Sequence, residues 1–163
     1  MIPACTASLK TLYPQYVKGY DLEVQHFFEI VAQRLKETRI KPKLKEKLVI
    51  TYHDPCQLSR YLRITDEPRE IMEHIQGLEV KEPEPEHTEK WSTCCGGGGL
   101  EASNPELSER IGIRRVTELL ETGATVIATH CPACMMQLKK SAKKLKADVK
   151  VVDVVEILDE ALG

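Results

Sequence analysis

The sequence predicts an α/β fold, a mostly parallel sheet flanked by helices on both faces, and three observations carry that prediction. Short apolar runs such as Leu48 to His53 and Ala124 to Thr129 show little polar alternation, as strands covered on both faces do. Segments of helical periodicity separate these runs, the rhythm of parallel strands joined by crossovers. The 163 residues suffice for one domain with a core of its own.

The elements follow in order. From Asp21 apolar residues recur at helical spacing, through Val24, Phe27, Phe28, Val31 and Leu35. The charged segment Lys36 to Lys47, broken by Pro42, ends that helix and leads into the strand Leu48 to His53. Thr65 to Pro68 opens a second helix that stops at Gly77, and Leu78 to Lys81 reads as a short strand. The acidic, proline-bearing run Glu82 to His87 is a solvated loop rather than a site. Asn104 is a helix N-cap with Pro105 at the first helical position, where its missing N–H costs nothing. That helix carries Leu107, Ile111, Val116, Leu119 and Leu120 to a stop at Gly123. Cys131 to Cys134 opens another helix directly after the strand Ala124 to Thr129. Val149 to Val152 is the last strand, and Asp153 with Glu156 forms a capping box for a closing helix to Leu162.

Charge and cysteine usage narrow the function classes. A net charge of −2, with acids and bases well mixed, speaks against a nucleic-acid binder. No apolar run reaches the length of a membrane span and no leader opens the chain, so no direct membrane insertion is expected. Six cysteines in this setting do not read as a secreted disulfide scaffold, because Cys94 and Cys95 are adjacent and cannot bridge each other without strain. A reducing, cytoplasmic location is the expectation, with thiols kept for metal or redox work.

Five cysteines form one expected constellation: Cys56, the pair Cys94-Cys95 followed by Gly96, and Cys131-Pro132-Ala133-Cys134. Cys56 follows one strand and Cys131 the next strong one, and ligands of parallel sheets gather beyond the carboxyl ends of strands. Two cysteines at a helix start point to one side, and the positive helix end lowers their pKa toward thiolate. Adjacent cysteines suit a polynuclear cluster, since neighbouring irons accept neighbouring sulfurs. Four consecutive glycines from Gly96 to Gly99 let the backbone approach an inorganic core, and the N–H groups near Gly96 and Gly97 would donate to its sulfides. Five thiolates exceed the four that a structural zinc or an ordinary cubane takes.

These residues carry a resemblance. The order Cys…Cys-Cys-Gly…Cys-x-x-Cys is set among His53-Asp54-Pro55-Cys56, Thr65-Asp66-Glu67-Pro68-Arg69 and Cys94-Cys95-Gly96-Gly97-Gly98-Gly99. From about Leu48 onward the chain resembles the cysteine-rich CCG domain of heterodisulfide reductase catalytic subunits and of the iron–sulfur subunits of glycolate and lactate oxidation. The resemblance implies that Cys56, Cys94, Cys95, Cys131 and Cys134 bind a non-cubane 4Fe–4S cluster. It also implies a redox enzyme component for disulfide reduction or electron transfer, an open iron for a substrate thiolate, and other redox subunits or a second CCG-type domain as partners. In the heterodisulfide reductases two such domains face each other and split the disulfide between coenzymes M and B.

One departure from the family is plain. Its members usually carry two repeats, and only one stands here. Pro3-Ala4-Cys5 with Leu9-Lys10 matches Pro132-Ala133-Cys134 with Leu138-Lys139 at a constant offset, with Ile2 where Cys131 would stand. Residues 1–20 thus read as the remnant of a preceding repeat, Cys5 as a stranded ligand, and residues 21–163 as a single CCG domain; the chain would then be a half-enzyme, a fragment or one part of a split protein.

Blander readings stand beside these. The cysteines could hold zinc in a non-catalytic assembly module of a redox complex, and Cys131 with Cys134 alone could exchange thiols with disulfides. His53 and His130 flank ligand cysteines, and His53 is the candidate hydrogen-bond or proton donor, while His26, His74 and His87 read as surface residues. The lysines at 139, 140, 143, 144 and 146 form the solvated side of a helix. Trp91 and the pair Met135-Met136 read as core or as a wall against water.

Overall fold

A helical stretch with a π-helical turn in its middle opens the structure, a computed structural model that describes residues 2–163. It comprises α1 (Pro3–Ala7), the turn Ser8–Leu12 and α2 (Tyr13–Tyr16). Helix α3 (Phe27–Glu37) begins later than the apolar periodicity from Asp21 suggests, because a capping box fixes its start. The Phe28 N–H donates to His26 Nδ1 at 3.2 Å, and the His26 N–H donates to Glu29 Oε2 at 2.6 Å. His26 is therefore no surface residue. It is 0% exposed, its ring edge-on to Phe28 and to His130.

Strand β1 (Lys43–Tyr52) also starts earlier than its apolar run, since Leu44 points inward while its charged neighbours stay in water. A π-helical turn (Gln57–Tyr61) follows, then α4 (Asp66–His74) and β2 (Gln76–Val80). Gly77 lies inside β2 rather than ending α4. Its φ of +89° sits where the β1–β2 register slips between Lys43 and Leu48, an irregularity glycine absorbs at little cost. Short 3-10 turns (Pro85–His87 and Glu89–Trp91) and α5 (Leu100–Ser103) lead to α6 (Pro105–Leu120). Asn104 caps α6 as expected, accepting from the Leu107 N–H at 3.0 Å. Then come β3 (Val126–Thr129), α7 (Pro132–Leu145), β4 (Lys150–Asp153) and α8 (Val154–Leu162), the last with the expected capping box of Asp153 and Glu156.

The four strands are all parallel, in the order β2-β1-β3-β4. Chain direction across the sheet reverses between β1 and β3, one leading outward to β2 and the other to β4. In parallel sheets, ligands gather beyond the carboxyl ends at such a reversal. Residues of β3 alternate between two cores. Val126 and Ala128 join α3, α4 and α8 on one face, through Phe28, Ile71, Met72, Ile157 and Leu158. Ile127 points the other way, to Val116 and Leu119 of α6 and Leu138 and Ala142 of α7. Cys95, Cys131 and Cys134 belong to this second core, so the reversal and the cysteine-bearing face meet at one place.

Candidate metal centre

The carboxyl ends of β1 and β3 are fastened together just before the cysteines. The His53 N–H donates to Ala128 O at 2.8 Å, and Thr129 Oγ1 donates to His53 O at 3.0 Å. Past β1 the chain turns through Asp54 and Pro55, and Cys56 flanks the start of the π-helical turn. Past β3, Cys131 is the extended N-cap of α7, Pro132 takes the first helical position and Cys134 sits in the first turn. The third segment enters between α6 and α7. At Gly96, with φ +83°, an added Cβ would lie 2.5 Å from Ser108 O, so neither the backbone angle nor the space admits another residue. Ser108 Oγ donates to Gly96 O at 2.8 Å and Gln137 Nε2 to Ser108 O at 3.1 Å, bracing the loop against both helices.

All five expected cysteines come together. Mutual electrostatic influence links Cys56 with Cys94, Cys94 with Cys95, Cys95 with Cys134 and Cys134 with Cys131. The Cys95 and Cys134 sulfurs stand 3.3 Å apart. Cys95, Cys131 and Cys134 are buried, while Cys56 and Cys94 are half-buried and form the outer edge. The Gly96 N–H donates to Cys94 Sγ at 3.3 Å and the Gly97 N–H to Cys95 Sγ at 3.4 Å. Cys5 is exposed on α1.

Electrostatics separates the five. Cys94 falls well below the usual thiol range because Cys56 and Cys95 donate to it, with Gly96 adding a third bond. Cys131 falls to about 6, held by the Cys134 hydrogen bond and by N–H groups of the first turn of α7. Cys134 is pushed up by its bonds to Cys131 and Cys95, and then by burial; Cys56 is pushed up by its bond to Cys94 and by burial. Cys95 is lowered by its contact with Cys134, but the Cys94 bond and burial outweigh this and push it up to about 12. Five crowded thiols cannot all ionise unaided. A polynuclear cation at their centre fits this donor set, which supplies sulfur alone, backbone N–H groups and no carboxylate.

His53 completes the inner side. It is 1% exposed, and one of its ring nitrogens lies within 4.8 Å of both Cys95 Sγ and Cys134 Sγ. Arg115 Nε donates to His53 Nδ1 at 3.0 Å, and guanidinium groups only donate, so the imidazole proton sits on Nε2. His53 Nε2 has no partner among the described residues. Burial and then the Arg115 charge hold the His53 pKa well below its usual value. His53 is thus a neutral N–H donor, able to bond to sulfur, and is not charged near neutral pH.

Two groups that hold the site escaped the sequence. Asp54, 1% exposed, accepts from Arg69 Nη1 and Nη2 at 3.0 Å each and from the Glu89 N–H at 2.9 Å, while Arg69 also meets Glu82. This knot ties the Cys56 loop to the segment leading into Cys94; the expected solvated loop Glu82 to His87 is in part structural. Arg115, 0% exposed, reaches His53, His87 O and Glu118 from the middle of α6. The signals were present as Asp54 beside Pro55 and as the second arginine of Arg114-Arg115, but only folding shows which charges go inside. His130 has its Nδ1 bonded to Asp153 Oδ1 at 2.8 Å and its ring stacked on Phe28. Trp91 and Met136 are exposed, at 64% and 68%, so neither is core; Met135 packs beside the second core. His74 and His87 are half-buried, and the α7 lysines face solvent, with Lys144 paired to Glu109.

Comparison with known proteins agrees with this geometry. The chain is 35% identical over 161 residues to one component of the dihydromethanophenazine:CoB–CoM heterodisulfide reductase of Methanosarcina barkeri, an alignment covering 98% of this chain and 39% of that protein. It is 37% identical over 159 residues to one component of the fumarate reductase (CoM/CoB) of Methanothermobacter marburgensis, covering 96% and 30%. The EtfAB:quinone oxidoreductase of Syntrophomonas wolfei is 32% identical over 165 residues, covering 95% and 22%. The chain therefore spans two fifths or less of the length of these relatives. No helix among the described residues is long and apolar enough to cross a membrane. The family model described as the CCG cysteine-rich domain matches residues 50–139, more than half of the chain and all five clustered cysteines, and the chain belongs to that family.

Proposed function

We propose that the chain is an iron–sulfur redox component in which Cys56, Cys94, Cys95, Cys131 and Cys134 hold a non-cubane 4Fe–4S cluster serving disulfide reduction or electron transfer. The observation that carries this reading is the unbroken line of five thiols at the strand reversal. A bound cluster supplies electrons one at a time. The residues of the chain do the rest. Gly96 and Gly97 donate N–H groups to the thiol sulfurs, and His53 Nε2–H, oriented by Arg115, offers a further donor that favours negative charge on sulfur. The sulfur-rich core around Ile127, Leu138 and Val116 keeps water from the inner three ligands. Reduction of a disulfide takes two electrons and two protons and yields two thiols. The electrons come from a partner redox protein and the protons from solvent at the Cys56–Cys94 edge. The match to the M. barkeri protein, by name part of a heterodisulfide reductase, supports this class of reaction. Residues 1–20 read as the end of a similar repeat, supported by Pro3 and Pro132 each opening a helix after an extended residue.

Oxygen-free purification tests the reading. The protein should be brown and carry about four irons and four acid-labile sulfides per chain. A colourless protein that still takes up one zinc per chain after anaerobic reconstitution with iron and sulfide overturns it in favour of an assembly module.

A further inference from the structure

The second half of α7 and its C-cap carry Lys139, Lys140, Lys143, Lys144 and Lys146 with no acid among them, in a protein whose net charge is −2. All five are exposed. Only Lys144 forms an ion pair among the described residues, with Glu109 of α6 at 3.3 Å. Lysines in a last turn stabilise the negative end of a helix, which accounts for Lys143 and Lys144. Lys139 and Lys140 lie at mid-helix, where that effect has faded and the helix itself has no need of charge. The other lysine-rich stretch, Lys36 to Lys47, is interrupted by Glu37 and Glu46, and its end lysines pair with Glu70 and Glu79.

These lysines border a groove of about 580 Å³ between α6 and α7. Lys140, Lys143, Lys144 and Lys146 line its rim, and the buried Gln137 and Ser141 its floor. Ser141 Oγ has no hydrogen-bond partner among the described residues, so the floor offers a hydroxyl to an incoming carboxylate. Met136, 68% exposed and one turn before Lys139 and Lys140, sets an apolar spot beside the cations, a combination that protein interfaces favour. Lysine ammonium groups are flexible point charges, suited to steering a charged surface rather than to the fixed bidentate grip of arginine. The charges extend over residues 139–146, about 10 Å of helix. That spread matches a protein surface better than a single small anion.

The same helix leads to the thiols. Cys131 is its N-cap and Cys134 lies in its first turn. Lys139 and Lys140 follow Cys134 by a rise of about 8–9 Å along the axis. Cys134 is buried on this side, whereas Cys56 and Cys94 form the outer edge. We infer that the lysine face of α7 docks an acidic electron-carrier protein, one of whose carboxylates enters the groove over Ser141, and that electrons reach the centre from the Cys134 side. The inference rests on the redox reading and adds the chemistry of the partner and its landing place. Each encounter oxidises the carrier by one electron and reduces the centre by one. Two encounters therefore supply a disulfide reduction at the Cys56–Cys94 edge.

The test is calorimetric titration of the anaerobic full chain with an acidic flavodoxin and, in parallel, with a basic cytochrome c. Flavodoxin should bind, about tenfold or more weakly at about 200 mM than at about 20 mM salt, and cytochrome c should not bind. Lys140→Gln and Lys143→Gln should each weaken the complex about threefold, and Lys140→Glu about tenfold, with iron and sulfide content unchanged. Lys41→Gln, in the other basic stretch, should leave binding unaltered. In stopped-flow mixing, the second-order rate constant for oxidation of reduced flavodoxin should fall by the same factors. Absent or salt-insensitive binding, unaltered binding in the α7 variants, or a rate constant blind to them overturns the inference. One-to-one binding of pyrophosphate that Lys140→Gln abolishes also overturns it, in favour of a small-anion site. Iron and sulfide measured on the same samples keep the two ideas apart: charge-blind docking with intact metal content sinks the landing place alone, whereas charge-dependent docking on a chain that takes up no iron sinks the cluster reading.

Discussion

The same tripeptide opens two helices of this molecule and meets two fates. Pro3-Ala4-Cys5 begins α1, and Pro132-Ala133-Cys134 begins α7. In both, an extended residue precedes the proline, and a backbone bond closes the first turn, from the Thr6 N–H to Ile2 O and from the Met135 N–H to Cys131 O. Yet Cys5 is exposed, whereas Cys134 is 4% exposed with two other thiols against it. The local turn is therefore not what brings a cysteine into the cluster of thiols. Strand β3 delivers α7 to the sheet reversal, where Cys95 and Cys131 face it; no strand among the described residues delivers α1. Helix macrodipoles and turn geometry contribute tenths of a kcal/mol, and convergence of distant segments decides the outcome.

Replacing the two cysteines gives the largest contrast. Cys134→Ala should abolish bound iron and sulfide after anaerobic reconstitution, while Cys5→Ala should leave both unchanged, measured by metal analysis and visible absorption. If Cys5→Ala also lost the cluster, the two helix starts would be equivalent and the comparison would fail.

The next effect concerns the knot that keeps the Cys94 segment opposite α7. Asp54→Asn leaves the Arg69 charge half unpaired in a buried setting and should cost about 3–5 kcal/mol of unfolding free energy by urea denaturation. On the α1 side Lys10–Glu29 is a partly exposed pair, and Lys10→Ala should cost less than about 1 kcal/mol in the same measurement.

Acid should loosen the α1 side through His26. Burial, followed by the neighbouring His130, lowers its pKa from 6.5 to about 4. A histidine kept neutral in the folded state binds its proton more readily when unfolded, so stability falls as pH drops from 6.5 toward 4. The loss is on the order of 2 kcal/mol and levels off below the folded pKa. His26→Asn, which keeps a capping side chain, should flatten that part of the stability profile in pH-dependent urea melts.

The smallest expected effect lies at His53. Arg115→Gln releases the contact that sets the imidazole tautomer, and weakens a donor to the sulfurs. Loss of one hydrogen bond of about 0.5–1.5 kcal/mol should lower the midpoint potential of the centre by roughly 20–60 mV. Iron content should be retained, and Arg115→Lys should restore little, lacking the fixed fork. A potential unmoved by either change would reduce Arg115 to a packing residue.

Much of this is legible in the sequence, and the failures share a cause. Asn104, Pro105, Gly123 and the Asp153–Glu156 box mark helix ends through bonds made within a few residues, so the chain states them openly. The clustering of the five cysteines is legible because Cys56 and Cys131 each follow a strand of one sheet, and the adjacent pair sits beside glycines that allow close packing. His26 misleads because an imidazole among Glu23, Gln25 and Glu29 looks polar, and only α3 folding over His130 buries it. The start of β1 hides among lysines because one inward residue, Leu44, suffices at a strand end. Asp54, Arg69 and Arg115 are unreadable as a set, since their hydrogen bonds to one another's loops and to His53 reach across 15 to 62 positions of chain. Such pairs leave no periodic trace.

The ordering of the three cysteine segments has a consequence for biosynthesis. Cys134 leaves the ribosome last of the five, after three strands and the long helix α6 are already made. Any metal or sulfide meeting the nascent chain earlier would find at most four of the thiols, with α7 not yet in place. Closure of the thiol cluster is thus a late event, coupled to α7 docking on the sheet, and a chain stalled before that point would expose loose thiols to oxidation.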